Sequence, residues 1–229
     1  MSQNVRQIVI DSIEKEKIIA IIRGYDTETS LKISQALYDG GIRLVEIPFN
    51  NAHPERFPET EQAIAAIRSS FEGKMLVGAG TVTSVALAER AAAAGAQFIV
   101  SPDMNENVIK RTIQLGMISI PGAMSPTEII RAHGCGADYV KLFPARELGI
   151  SYVKAILSPI NYVKLMAVGG IGEENLKEFL DNGIVGAGIG GTLINKQYIK
   201  EGRFDKLTDT AARIVAIAKE SEAAKNDRK

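Results

Sequence analysis

The sequence predicts a single (β/α)8 barrel with an extra helix at its N-terminus. Three observations lead there. Short β-branched runs alternate with longer amphipathic stretches from Lys17 almost to the end; there are eight such runs; and glycine-rich turns follow the seventh and eighth of them. Strands that alternate with helices pair in parallel through right-handed crossovers, and eight such units suggest closure. A doubly wound open sheet is the alternative, but it would place a phosphate-binding glycine loop after the first strand. That position reads Arg23-Gly24-Tyr25-Asp26, whereas barrels commonly hold a phosphate after strands seven and eight. The 229 residues suit one such barrel, which takes roughly 200 to 250 residues.

Taken in order, residues 1–16 read as an amphipathic helix that closes the bottom of the barrel. The eight strand runs are Ile18 to Arg23, Arg43 to Phe49, Met75 to Gly78, Gln97 to Ser101, Met117 to Ile120, Asp138 to Phe143, Val163 to Val168 and Val185 to Ile189. Helical patterning such as Ser30 to Tyr38 and Val85 to Ala94 follows most of them and often ends in a glycine, among them Gly40, Gly95, Gly116, Gly136 and Gly183. The tail, residues 219–229, is charged and small-residue-rich and reads as a solvated, fraying helix end. The whole chain, residues 1–229, is expected to be one domain.

Composition excludes several classes of partner. With 27 basic and 27 acidic side chains, no global field favours nucleic acid or an anionic membrane surface. No apolar run approaches the roughly 20 residues of a membrane helix, and Met1 to Val9 lacks a charged region followed by an apolar block. The expected setting is the cytoplasm and the expected partner a small molecule. The lone cysteine, Cys135, excludes an internal disulfide and a cysteine-rich metal cage.

Barrel enzymes carry their chemistry at the C-terminal ends of the strands, where four ionisable or polar side chains stand out: Arg23, Glu46, Thr81 and Lys141. Lys141 is flanked by Val140 and Leu142 in a strand that reads as buried. Desolvation lowers an amine's pKa, and a neutral amine can attack a ketone; the alternative is a lysine that snorkels out at the strand end. By the two-residue period, Leu44, Glu46 and Pro48 share one face, and so do Tyr139, Lys141 and Phe143. Runs two and six lie four apart in an eight-membered ring, so Glu46 and Lys141 can face each other across the barrel mouth. A carboxylate beside an iminium can shuttle the protons that carbon-carbon cleavage requires; a structural ion pair is the other reading.

Glycines in Gly169-Gly170-Ile171-Gly172 and in the stretch Gly186 to Thr192 could converge backbone N–H groups on a phosphate, with the Thr192 hydroxyl at a following helix start. Tight turns would use the same residues. His53 and His133 are isolated from any second histidine at metal-ligand spacing, Cys135 reads as a small packed residue at a helix end, and Asp103 reads as a cap, with a divalent site shared with Glu46 as the alternative. No metal is expected.

Together these residues resemble the 2-keto-3-deoxy-6-phosphogluconate (KDPG) and 4-hydroxy-2-oxoglutarate (KHG) aldolases, Schiff-base enzymes on a compact barrel. The resemblance runs from about Ile18 to Asn195 and is carried by Ile-Ile-Arg-Gly, Val-Glu-Ile-Pro, Val-Gly-Ala-Gly-Thr-Val, Phe-Ile-Val-Ser-Pro, Pro-Gly-Ala-Met-Ser-Pro-Thr-Glu and Val-Lys-Leu-Phe-Pro. It implies that Lys141 forms the imine and Glu46 moves the protons. It further implies that Thr81 holds the pyruvate carboxylate, that Arg23 is an anion ligand, that Phe143 and Pro102 line the pocket, and that Gly169, Gly170, Gly190, Gly191 and Thr192 cradle the phosphate. Two departures resemble the 2-dehydro-3-deoxy-6-phosphogalactonate (KDPGal) branch: Asn50 stands where the phosphogluconate pattern has an arginine, and Val168 where it has a threonine. Asn50 and Val168 are therefore expected to touch substrate, with carboxylate binding left to Thr81, Arg23 or both. The resemblance implies a class I aldolase that yields pyruvate and D-glyceraldehyde 3-phosphate, needs no cofactor and forms a homotrimer. Cleavage of 4-hydroxy-2-oxoglutarate, a phosphosugar isomerase or epimerase, and a non-catalytic phosphometabolite sensor are the alternatives.

Overall fold

The computed structural model describes residues 3–226. Its strands are β1 (Ile18–Ile21), β2 (Leu44–Pro48), β3 (Leu76–Gly80), β4 (Phe98–Val100), β5 (Ile118–Ile120), β6 (Gly122–Ala123), β7 (Val140–Leu142), β8 (Leu165–Val168) and β9 (Gly186–Ile189). The helices are α1 (Gln3–Glu16), α2 (Thr27–Asp39), α3 (Phe57–Ser70), α4 (Val85–Ala93), α5 (Glu106–Gln114), α6 (Pro126–Gly134), α7 (Ala145–Leu157), α8 (Leu176–Asp181), α9 (Lys196–Lys200) and α10 (Phe204–Asn226).

All pairings are parallel, in the order β5-β4-β3-β2-β1-β9-β8-β7-β6. The two ends of that order, β5 and β6, are halves of one strand separated only by Pro121, so the sheet returns on itself as a barrel. Eight runs thus become nine segments for a local reason: Pro121 has no N–H to give the ladder. Its carbonyl still accepts from Lys141 N at 2.8 Å, and Tyr139 N donates to Ser119 O at 3.3 Å, which stitches the closing seam.

Side-chain alternation separates two cores. Outward residues such as Ala20, Val45, Val77, Ile99, Leu142 and Ala167 pack under the helices, while Ile19, Leu44, Phe98, Val100, Ile118, Ile120, Tyr139 and Met166 fill the barrel. Val9 and Ile13 of α1 join the inner cluster and stop the N-terminal end of the barrel. Arg6 fixes that plug by donating to Asp138 Oδ1 at 2.5 Å and to the Met117 carbonyl. The interior is therefore filled from the bottom up to the level of Leu44 and Tyr139, and the next inward residues on those strands, Glu46 and Lys141, lie at the level where it opens.

The helix-ending glycines divide by role. Gly95, Gly116, Gly136 and Gly183 adopt positive φ, but at the end of α2 Gly41 does so and Gly40 does not. Gly40 instead permits the approach of α10, because a Cβ there would lie 2.5 Å from Ala211 Cβ. The stretch from Lys219 read as a solvated end continues as helix to Asn226, and the buried Ser221 donates to Asp181 Oδ1 at 2.7 Å; residues 227–229 lie outside the described residues.

Candidate active site

Glu46 and Lys141 open into one cavity of about 570 Å³, lined also by Arg23, Thr81, Pro102, Phe143, Val168, Gly169, Gly170, Gly190, Gly191 and Thr192. The geometry thus brings together every residue expected at the site except Asn50. Asn50 lines a neighbouring cavity of about 230 Å³ that Arg23 also lines. Its Oδ1 accepts from Ala52 N at 3.3 Å, an Asx turn. Asp103 does not line the Glu46 cavity; its carbonyl accepts from Gly122 N.

Lys141 is 7% exposed and Glu46 2%, too little for the lysine to snorkel into solvent. Burial pushes the Lys141 amine below its ordinary pKa, Glu46 partly opposes this, and Arg23 adds to it. Burial pushes the Glu46 carboxyl above the usual range against the attraction of Lys141 and Arg23. The two groups feel each other's charge without a direct ion pair, which leaves room between them. The Phe143 ring stands 4.8 Å from Lys141 Nζ, forming a wall over the amine.

Several positioning features were invisible in the sequence. The Glu46 carboxylate occupies the space a side chain at position 80 would need: a Cβ on Gly80 would fall 1.7 Å from Glu46 Oε1. The expected result for Gly80→Ala is a kcat lower by about 100-fold, from a carboxylate displaced by about 1 Å, with the pyruvate adduct on Lys141 still forming. Steady-state kinetics beside adduct mass measures the separation.

Thr81 sits at φ +57°, strained for a β-branched residue and typical of functional sites. Asn51 Nδ2 secures this turn by donating to Thr81 O at 3.2 Å and Thr83 Oγ1 at 3.0 Å, while Arg23 Nη2 donates to Thr81 Oγ1 at 3.3 Å. Arg23 and Thr81 therefore form one polar corner beside Lys141.

On the opposite rim, Gly169 and Gly170 turn with φ +95° and +72°. The Phe143 ring and the aliphatic part of Arg146 lie over them. Thr192 is not at a helix start: it belongs to a single turn in which Leu193 N and Ile194 N donate to Gly190 O, and α9 begins later, capped by Asn195. Its hydroxyl donates to Ile171 O at 2.5 Å, tying the two glycine turns into one cradle.

A buried amine opposite a buried carboxyl, with a polar corner on one side and a glycine cradle on the other, is an arrangement suited to amine chemistry on a small anion. The family model for KDPG and KHG aldolase matches residues 9–210, and the chain belongs to that family. It is a class I aldolase, a lyase. The chain is 37% identical over 180 residues to the 2-dehydro-3-deoxy-6-phosphogalactonate aldolase of Escherichia coli, covering 78% of this chain and 85% of that one. It is 35% identical over 210 residues to the 2-dehydro-3-deoxy-phosphogluconate aldolase of Treponema pallidum, covering 91% and 97%. The KDPG aldolase of Legionella pneumophila, solved with pyruvate captured as a covalent carbinolamine, superposes with a TM-score of 0.78 at 27% identity, covering 87% of this chain and 94% of that one.

Proposed function

We propose that the chain cleaves a 2-keto-3-deoxy-6-phospho sugar acid to pyruvate and D-glyceraldehyde 3-phosphate, with the galactonate epimer preferred. The observation that carries this reading is the pairing of a depressed Lys141 with a raised Glu46 in a cavity whose far rim is made of glycine turns.

In this mechanism the neutral Lys141 amine attacks C2 of the keto acid, and protonated Glu46 gives its proton to the departing hydroxyl, so that the carbinolamine loses water to leave a protonated imine beside an ionised Glu46. That carboxylate then takes the C4 hydroxyl proton. The C3–C4 bond breaks, and its electron pair moves into the imine to form an enamine, while C4 becomes the aldehyde carbon of the leaving product. Glu46 returns the proton to C3, and water releases pyruvate and restores Lys141. Thr81 and Arg23 orient the carboxylate, Pro102 and Phe143 enclose the pyruvyl part, and Gly169, Gly170, Gly190, Gly191 and Thr192 receive the phosphate. By family resemblance we take the assembly to be a homotrimer and the setting to be the cytoplasm.

Preference for the galactonate epimer rests on Val168, whose methyl groups offer no hydrogen bond where a threonine would meet the C4 hydroxyl. Val168→Thr is expected to move the ratio of kcat/KM values toward the gluconate epimer by about 5- to 100-fold, the usual worth of one polar contact; assays on the two epimers measure it. The reading as a whole is tested by intact mass after incubation with pyruvate and sodium borohydride. A single reduced pyruvyl adduct, together with pyruvate release from the phosphorylated substrate, is the expected result; absence of the adduct overturns it.

A further inference from the structure

A second cavity of about 520 Å³ adjoins the catalytic one and is lined by Ile21, Arg23, Gly24, Tyr25, Gly190, Gly191, Ile194, Lys196, Ile199 and Lys200. It shares Ile21, Arg23, Gly190 and Gly191 with the catalytic cavity. A Cβ on Gly191, which lines both cavities, would meet nothing within 4 Å.

The charge of this annex is one-sided. Arg23, Lys196 and Lys200 line it and no carboxylate does. Elsewhere the helices couple their cations to neighbouring carboxylates, as in Lys32 with Glu28, Lys177 with Asp181 and Lys206 with Asp209. On α9 the pattern is reversed: Lys196 and Lys200 stand four residues apart on one short helix, a spacing at which like charges repel. The nearest acid in sequence, Glu201, is engaged by Gln197 and Arg203 instead. Tyr25, in the same wall, holds a buried hydroxyl without a hydrogen-bond partner. Lys196 and Lys200 are exposed, and two cations that line one cavity beside Arg23 without a carboxylate are an arrangement that an oxyanion completes.

We propose that this annex is an anion-recruiting subsite in which Lys196 and Lys200 complete the binding of the substrate's terminal phosphate from the side opposite Gly169 and Gly170. The inference rests on the reading of the catalytic cavity under Proposed function. It assigns to these lysines a share of the selectivity for phosphorylated over unphosphorylated aldehydes. The backbone cradle alone supplies donors without net charge; the ammonium groups supply the positive charge that offsets a phosphate dianion, which carries more charge than glyoxylate's carboxylate and lies farther from the aldehyde carbon.

The test is the condensation of pyruvate with D-glyceraldehyde 3-phosphate or with glyoxylate, in wild type and in Lys196→Ala/Lys200→Ala. The ratio of kcat/KM for the phosphorylated over the unphosphorylated aldehyde is expected to fall about tenfold in the double variant. The loss should be carried by KM, and the wild-type ratio should fall toward that of the variant as salt screens the charges. An unchanged ratio overturns the proposal. Inorganic phosphate distinguishes the source of the anion: competition with D-glyceraldehyde 3-phosphate that weakens in the double variant supports a substrate subsite, whereas non-competitive inhibition lost in that variant overturns it in favour of a separate effector site. Calorimetry of D-glyceraldehyde 3-phosphate binding reads the annex without turnover. Weaker binding in the double variant supports the subsite even if cleavage itself were absent, and equal binding overturns it.

Discussion

Lys141→Met is expected to lower cleavage by at least about 10⁴-fold, because it removes the amine that, among the described residues, lines the catalytic cavity and is proposed to form the imine, while the cradle and polar corner stay in place. Borohydride with pyruvate should then leave the intact mass unchanged. The same substitution has a pH-dependent effect on stability whose sign follows from the burial of the amine. Desolvation holds the folded-state pKa of Lys141 below its ordinary value, so between those two values the unfolded chain binds a proton that the folded chain lacks. Wild-type stability therefore rises with pH through that window, and the full penalty of the buried ammonium is felt below it. Methionine carries no such penalty and keeps most of the volume between Val140 and Leu142. The Tm of the variant relative to wild type should be most favourable at low pH and should decline as pH approaches the ordinary amine value. Thermal melts from about pH 6 to 10 measure this; a Tm difference that does not vary with pH would show that the amine is solvated.

The placement of Lys141 and Glu46 was legible because a strand has a period of two and a barrel has eight positions. Those two numbers turn Leu44-Val45-Glu46 and Tyr139-Val140-Lys141 into inward, outward, inward, and they set the second and sixth runs across from each other. The glycine turns were legible by the same ordinal argument. What escaped depended on side chains meeting across elements. The Asx turn at Asn50, two residues beyond the end of β2, also escaped, since the strand period stops at Pro48. Thr192 reads in the sequence as standing at a following helix start, but the turn from Gly190 closes before α9 begins. Gly80 carries no chemistry of its own; its importance comes from the carboxylate that fills its missing side chain, a fact about a neighbouring strand. Pro121 divides the fifth strand without altering the order of the barrel, since its carbonyl still serves the ladder. The annex cations were likewise hidden, because α9 comes after the last strand and nothing in a strand count says where its side chains converge.

Glu46→Gln is expected to separate the two halves of the mechanism. Cleavage should fall by about 10³-fold, within the usual range for loss of a general acid-base group, while pyruvate should still be trapped on Lys141. The pH at which trapping is half-maximal should move downward, because the carboxylate that raises the Lys141 pKa is gone while burial and Arg23 continue to lower it. Arg23→Met should move it upward for the converse reason. Stability supplies an independent check with the opposite sign from Lys141. Burial raises the folded-state pKa of Glu46, so between the ordinary carboxylate value and the raised one the folded chain holds a proton that the unfolded chain has lost. Wild-type stability falls as pH climbs through that window, and glutamine, which resembles the protonated acid, is spared. The Tm of Glu46→Gln relative to wild type should therefore increase with pH where that of Lys141→Met decreases. Opposed slopes are what two buried groups of opposite charge produce when each is held close to neutrality; a tight ion pair would instead make both variants less stable than wild type at neutral pH.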